Sequence, residues 1–482
     1  MRVALVHPPE SVQSIGSEIV QHPINIASIA AYIRRENDAE VELWDYAVLD
    51  HPSEDFRERM RRFKPQIVGF SCMTPLIVQG AELARIAKQE DPEVLVVVGG
   101  PHVSAIPEHT LEQYESFDIS AIGEGEQTMS EIIHALEHGL PLENIASTAV
   151  RIDGAIRRNE LRDLIHDLDD LPYPARDLID LELYKGSSSP GLDSSLQRIT
   201  ELFTSRGCPM NCIFCASAVT HRNKVRFRSA EHVLGEVRQC VEQYGIQHFT
   251  IDDDTFTYGH KRLTAICDGL RELGVSWDCD SRVDSVNPEV LKMMADSGCK
   301  KIAFGVETGS PRMLELIKKQ ITVEQIEDGF DWAHRAGILT SAFIMIGSHP
   351  SETIEDLDQT LALIKRIRPD FVLVYIAVPY PGTELYHIMH DQELVFTEDW
   401  NEYDIVRTIP KWRTENFSPD QLVALQEKLY RKIYFTPRFI AQKLFAIRSL
   451  DDFRYMWDKG FSLLSFLGDR RKQSKISAPS GD

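Results

Sequence analysis

Along the first third of the chain, short apolar runs alternate with stretches whose apolar residues fall three and four apart. Residues 2–7 read as a strand closed by Pro8-Pro9. Ile26, Ile29, Ala30 and Ile33 line one face of a predicted helix over 24–35. Further strands are predicted at 41–44, 67–72, 94–98 and 119–122, with helices over 81–89 and from about Thr128. This alternation predicts an α/β domain built on an open, doubly wound parallel sheet with right-handed crossovers. Ligands on such sheets sit beyond the carboxyl ends of the strands. Those ends carry His7, Ser71-Cys72-Met73-Thr74, Gly99-Gly100-Pro101-His102 and Gly123-Glu124-Gly125. Glycines there permit close backbone approach to a ligand, although tight turns would call for the same residues.

A second βα rhythm covers 199–385, with strands expected at 201–205, 248–251, 276–280, 301–306, 341–346 and 371–378. Six units are too few for the closed eight-unit barrel, so an open partial (β/α)6 barrel is expected, active at its C-terminal strand ends. Between the two lies a Pro- and Gly/Ser-rich connector, and after the barrel an aromatic-rich helical region with a polar tail. The expected division is therefore 1–150, 151–198, 199–385 and 386–482. The last part is expected to cap the barrel's open side; its positive charge leaves a membrane surface as the alternative.

Charge and composition narrow the function. The 52 Lys and Arg against 74 Asp and Glu leave a formal charge of −22, which disfavours general nucleic-acid binding. The longest aliphatic run, 94–98, is far short of the ~20 apolar residues of a membrane span. No basic leader precedes an apolar core, so no signal peptide is expected. Eight cysteines in such a chain suit a reducing cytoplasm, where they serve as metal ligands, catalytic groups or core residues.

Three of them stand apart. In Ser205-Arg206-Gly207-Cys208-Pro209-Met210-Asn211-Cys212-Ile213-Phe214-Cys215 the spacing is C-x3-C-x2-C. Thiolates are soft ligands for iron–sulfur clusters or zinc. Structural zinc and electron-transfer clusters normally take four protein ligands, and no fourth cysteine is near. Cys208, Cys212 and Cys215 would leave one metal corner open. A zinc site completed by Cys279 or a histidine, or a purely redox cluster, are the alternatives.

This spacing, with an aromatic residue (Phe214) before the last cysteine and a place after the first barrel strand, resembles the radical S-adenosylmethionine (SAM) superfamily. The resemblance implies a [4Fe–4S] cluster whose open iron is chelated by SAM, and reductive cleavage of SAM to a 5′-deoxyadenosyl radical that abstracts hydrogen. It also implies roles. Asp252, Asp253 and Asp254 would hold the methionine amino group, Arg282 its carboxylate and Glu307 the ribose hydroxyls. The strand from Ser341 through Ile346 would line the adenine, and Tyr380 would face a small-molecule substrate. Arg222, Lys224, Arg226 and Arg228 would dock an acidic flavodoxin or ferredoxin, or else form a solvated face.

With the first domain added, the chain resembles the subfamily carrying a cobalamin-binding-type N-terminal domain. That subfamily includes methylases of unactivated carbon or phosphorus, the anaerobic magnesium-protoporphyrin monomethyl ester cyclase and hopanoid-modifying enzymes. Cobalamin is then the further expected cofactor, contacted at Ser71, Thr74, Gly99, Gly100, Gly123 and Gly125. The D-x-H-x-x-G string that supplies a cobalt-ligating histidine is absent; members without it bind cobalamin with no His ligand. Cobalamin-dependent methyl transfer to an sp3 carbon is the first expectation. Cobalamin-independent radical dehydration or rearrangement, of the kind catalysed by the apramycin-pathway diol dehydratase, is the second. A non-catalytic cobalamin or redox sensor is the reading from another class. Dehydration needs an acid–base group, for which His7, His102 and Glu10 are cleft candidates.

Overall fold

The computed structural model describes residues 1–9, 21–49, 51–184, 198–404 and 409–436. Seven strands form the first sheet: β1 (Arg2–His7), β2 (Glu40–Asp45), β3 (Ile67–Ser71), β4 (Leu95–Gly99), β5 (Ile119–Ala121), β6 (Thr148–Ile152) and β7 (Ala155–Arg158). Their order is β2-β1-β3-β4-β5-β6-β7. The first five are parallel. Strand pleating sends Val3 and Leu5 to one face and Ala4 and Val6 to the other. Helices Ile24–Glu36 and Gly125–His138 cover the first face. Helices Pro52–Phe63 and Ile77–Glu90 cover the second, so the sheet is doubly wound. The sheet does not stop at 150. An antiparallel pair, β6 and β7, carries it to Arg158. β7 (Ala-Ile-Arg-Arg) is an exposed edge strand with no apolar alternation to announce it.

The second sheet holds β8 (Ile199–Leu202), β11 (His248–Ile251), β12 (Ser276–Ser281), β13 (Cys299–Glu307), β14 (Leu339–Ile346) and β15 (Phe371–Ile376). All neighbours are parallel and the order is β15-β14-β13-β12-β11-β8, so β8 and β15 are free edges and the barrel is partial. The predicted strand at 201–205 divides in two. β8 ends at Leu202, and Ser205–Arg206 (β9) pairs antiparallel with Arg226–Phe227 (β10) outside the barrel. Trp277, Cys279, Ile302, Phe304, Ile344 and Ile346 pack outward against the helices. By the strand's twofold alternation, Asp278, Asp280, Lys301, Phe343 and Met345 face inward.

Past the barrel, helix Pro419–Tyr434 covers the β15 edge. Tyr434 and Tyr430 hydroxyls accept from the Val372 and Val374 N–H groups at 2.9 and 3.0 Å, and Gln426 donates to Val374 O at 2.6 Å. The edge's backbone groups are thus satisfied by side chains where a closed barrel would supply another strand. The remaining expected C-terminal aromatics, from Phe439 onward, and Glu10 lie outside the described residues. Among the described residues no helix is long and apolar enough to cross a membrane. Part of the described connector packs into the molecule, with Leu164, Leu168, Ala175, Arg176, Ile179 and Tyr184 buried. Arg176 sits 2 % exposed, pairing with Glu236 at 2.6 Å and donating to Glu201 O at 2.8 Å.

Candidate active site

The cysteine loop leaves β9 through Gly207, whose φ is +88°. A Cβ there would lie 2.2 Å from Lys224 O, so only glycine fits. The loop is pinned at its middle. Ile213, buried, donates its N–H to Ile317 O at 3.2 Å and accepts from Leu385 N–H at 2.8 Å. Phe214 packs on the apolar cluster that also contains Ile213, Leu385 and Trp400. Cys208, Cys212 and Cys215 are free thiols, each partly exposed. Burial pushes the Cys215 thiol up to about 11 and raises that of Cys212, where Lys319 and Arg282 pull the other way. Cations at that position favour thiolate ligands.

The donor set fits a cluster better than zinc. A structural zinc takes four protein ligands, and here three thiolates stand within eight residues with no fourth cysteine in the loop. Cys279 offers no fourth ligand. It is buried in the helix-side core next to Cys299.

The three consecutive aspartates diverge. Asp253 turns under the loop, accepting Thr204 N–H at 2.6 Å and Ser205 N–H at 3.0 Å, together with both hydroxyls. Its oxygens are saturated, which removes it from the amino-group candidates. Asp254 is exposed, accepts from Ser217 Oγ at 2.8 Å and lies within electrostatic reach of Cys215. Asp252 faces the barrel interior and accepts from Gln21 at 3.0 Å. Arg282 is committed to Asp284, with Nε and Nη2 both at 2.9 Å, and donates to Lys319 O at 2.8 Å. Glu307 ends β13 at a bulge with φ +66°, and its Oε1 is 2.8 Å from Lys319 Nζ. Gly305 leaves the space for that pair, since a Cβ there would meet both partners at 2.6 Å.

The inner wall is acidic. Burial, then Asp280, Glu201 and Asp278, push Asp252 up to about 7. Burial likewise pushes Asp280 up to about 7, with Lys301 opposing and Asp278 adding. Asp280 has an open surface, but one that faces the enclosed interior. Asp278 is held by His248 at 3.2 Å and Lys301 at 3.7 Å. From the first domain, His22 reaches into this wall, its Nδ1 2.7 Å from Glu201 Oε2. Opposite stand Phe343 and Tyr375, ring centroids 6.3 Å apart.

Several expected residues lie elsewhere. Ser341 is the third residue of β14 and Ile346 the last, about 16 Å apart at 3.3 Å per residue. Only one end of that strand can line a nucleobase, and there Ile346 points outward into the helices; Met345 and Phe343 have the inward parity. Tyr380 packs against the cluster containing Trp400 and Tyr403, its hydroxyl 3.4 Å from Tyr403 O. His102 is 1 % exposed, its ring 4.9 Å from Trp400, and burial drives its pKa down to about 3. Covered by Trp400, His102 does not open on the cleft, which speaks against the catalytic role expected of it. His7 pairs with Asp45 at 2.9 Å, and Asp45 also accepts from Tyr184.

Of the expected cobalamin contacts, Ser71 and Gly123 remain open. Ser71 ends β3 beside β1, where the strand order reverses, and bonds Asn25 at 3.0 Å. Gly123 has φ +78° and nothing within 4 Å of a Cβ. Ser71 and Gly123 would border a cofactor bound beyond these strand ends. Thr74 instead bonds His102 at 3.2 Å, and Gly99-Gly100 serves the sheet. Cys72 N–H bonds Gly99 O at 2.9 Å, and a Cβ on Gly100 would lie 2.6 Å from Cys72 O. Gly125 packs on Ile29, and its neighbours Glu124 and Glu126 reach across to Arg206 on β9. Of the four expected donor-docking cations, Arg226 and Arg228 are paired with Glu124 and Glu236. Arg222 and Lys224 stay exposed.

Some site residues carry no sequence signal: His22, Lys319 and Tyr258, whose buried hydroxyl lacks a partner beside Cys208 and Cys212. Asp278 and Asp280 could have been found from their i, i+2 spacing on a predicted strand.

Comparison with known proteins agrees with this geometry. Residues 15–133 match the B12 binding domain and residues 202–364 the radical SAM superfamily. An uncharacterized methyltransferase of Pyrococcus horikoshii is 33 % identical over 448 residues, covering 92 % of this chain and 95 % of its own length. The anaerobic magnesium-protoporphyrin IX monomethyl ester cyclase of Rubrivivax gelatinosus is 26 % identical, covering 91 % of this chain and 78 % of its own. Among solved structures, the cobalamin-dependent SAM radical enzyme OxsB, with aqua-cobalamin and SAM bound, aligns with TM-score 0.73 at 18 % identity, over 96 % of this chain and 72 % of that one. The methyltransferase TsrM of Kitasatospora setae, with cobalamin and a [4Fe–4S] cluster bound, aligns at 0.67 and 17 % identity, over 81 % and 75 %. A three-cysteine loop at the mouth of a partial barrel, joined to a doubly wound sheet of this kind, thus has one family context: the chain is an enzyme of the radical SAM superfamily, in the group that carries a B12-binding domain.

Proposed function

We propose that the enzyme transfers a methyl group to an unactivated sp3 carbon of a small molecule, using a [4Fe–4S] cluster, SAM and cobalamin. The observation that carries this reading is the three-cysteine loop set after the first barrel strand and tied through Arg206 and Glu124 to the strand-end turn at Gly123 of the first sheet. When bound, the cluster supplies the electron that cleaves SAM and the cobalamin supplies the methyl group. Cys208, Cys212 and Cys215 hold the cluster. Asp253 fixes the loop, and Asp254 offers its carboxylate to the methionine amino group. Glu307, held by Lys319, faces the ribose, and Ser71 and Gly123 border the cobalamin edge. Methyltransferases among the similar proteins support the choice. Arg222 and Lys224 remain as the docking points for a flavodoxin or ferredoxin.

Cobalamin-independent dehydration is the second reading. Asp252 and Asp280, each pushed up to about 7 by burial, would be its acid–base pair. Reconstituted protein with dithionite and SAM should form 5′-deoxyadenosine, and alanine at any one of the three cysteines should abolish it. Hydroxocobalamin retained through desalting supports methyl transfer. Deoxyadenosine formed by protein that retains none favours dehydration, and no deoxyadenosine at all returns the sensor.

A further inference from the structure

Four charged side chains tie the first sheet to the cysteine loop. Arg206 lies two residues before Cys208. Its Nη1 donates to Glu124 Oε1 at 2.7 Å and its Nη2 to Glu126 Oε1 at 2.5 Å. Arg226, directly across the β9–β10 pair, donates from Nη1 to both Glu124 oxygens at 3.0 and 2.8 Å. The connector joins in. Ile165 N–H donates to Glu124 at 3.0 Å, and Ile165 O accepts from Arg226 at 2.7 Å. The side chains of Glu124, Glu126 and Arg226 are 5, 5 and 7 % exposed.

Burying such a group seldom adds stability, because desolvation offsets the Coulomb gain. What it supplies is geometry, since a guanidinium bridging two carboxylates fixes both distance and direction. The backbone beyond it has no slack. Gly207 alone separates Arg206 from Cys208, and a Cβ there would lie 2.2 Å from Lys224 O, so no other residue fits between them. On the other side, Glu124 directly follows Gly123, the open strand-end position. A ligand seated at Gly123 therefore bears on the residue that holds Arg206.

We infer that Glu124, Glu126, Arg206 and Arg226 form a positioning clamp that couples occupancy of the first domain's cleft to the geometry of the cysteine loop, so that SAM binding responds to what the cleft holds. This rests on the cofactor reading above. By reciprocity SAM then alters the affinity of the cleft ligand by the same factor.

The test uses full-length reconstituted protein, with and without hydroxocobalamin. It reads the electron paramagnetic resonance signal of the reduced cluster with SAM, and the KM for SAM in deoxyadenosine formation. In the wild type, hydroxocobalamin should alter the SAM-dependent signal and shift KM by about fivefold or more. Glu126→Gln and Arg206→Lys should keep iron and hydroxocobalamin but lose that response, and Glu126→Asp should restore part of it. If Glu126→Gln does not fold, Arg226→Lys, acting on Glu124 from the neighbouring strand, is read the same way. A wild type that retains hydroxocobalamin without responding, or variants that respond in full, would overturn the clamp. If hydroxocobalamin is not retained, the cofactor reading fails separately. The clamp is then judged on SAM alone, supported by an altered signal or KM in the variants and refuted when both are unchanged.

Discussion

Asp253 accepts both the N–H of Ser205, at 3.0 Å, and its hydroxyl, at 2.7 Å. Ser205 begins the strand that delivers the cysteine loop, so a residue after the second barrel strand fixes where the loop starts. Asp253→Asn must present an NH2 group to donors that now meet oxygen. Each donor left unpaired costs about 1–3 kcal/mol. Iron content after reconstitution should fall sharply in Asp253→Asn. In Asp254→Asn it should stay at the wild-type level while the KM for SAM rises. Equal iron in both variants would contradict the division of labour.

Gly207 and Gly123 both have positive φ, but only Gly207 is enclosed. Gly207→Ala has to displace Lys224 O or move the loop. Gly123→Ala meets nothing and bears only the left-handed backbone cost of about 1–2 kcal/mol. Gly207→Ala should therefore lose the cluster, read as iron and visible absorbance. Gly123→Ala should keep it, with slightly lower stability and weaker hydroxocobalamin retention.

The first five strands were legible because parallel, twice-covered strands read as near-continuous apolar runs such as 94–98, and the barrel strands because apolar residues facing the helices alternate with polar ones facing inward. The cysteine triad was legible because its chemistry is local. What stayed hidden depends on residues distant in sequence. Nothing in Asp252-Asp253-Asp254 says that the middle carboxylate turns back to Ser205 while its neighbours turn away. Nothing in Gly123-Glu124-Gly125-Glu126 says that the glutamates reach 80 or more residues ahead to Arg206 and Arg226. Strand parity, applied to 341–346, would have exchanged Ile346 for Met345. His102 misled because a histidine beside glycines at a strand end looks like a cleft residue until Trp400 covers it.

That burial makes His102 testable. With a pKa near 3 it stays neutral throughout the usual assay range. His102→Gln should leave the pH profile of deoxyadenosine formation unchanged, because no titrating group is lost. It should still lower stability, by about 1–3 kcal/mol, through the disturbed packing on Trp400 and the altered bond to Thr74. A displaced acid or alkaline limb would restore His102 as an acid–base group.

Glu352 sets an opposite sign for stability. It is fully buried, its Oε2 accepts Gly347 N–H at 2.5 Å, and its Oε1 has no partner. Burial pushes its pKa up to about 8, with Asp356 adding and the Gly347 bond and Arg312 opposing. A carboxyl whose folded pKa is raised binds its proton more tightly when folded. Its stabilising share is complete below the ordinary carboxylate pKa and is lost as pH rises through about 8. Asp252 and Asp280, raised to about 7, act in the same direction. Glu124, which burial alone would raise but Arg226 and Arg206 hold down at about 2, acts in the other, losing its share only in strong acid. Between pH 5 and 9 these raised carboxyls lower stability as pH rises, while His102, His221, His232, His349 and His390, whose folded pKa burial lowers, act the other way, so the share of Glu352 is read as the fall in denaturant midpoint relative to Glu352→Gln across that window. Glu352→Gln is neutral at every pH and close in shape. It should lack that share and leave the variant more stable than the wild type at pH 9 but not at pH 5. Parallel pH curves for the two proteins would show that Glu352 is ionised in the folded state throughout.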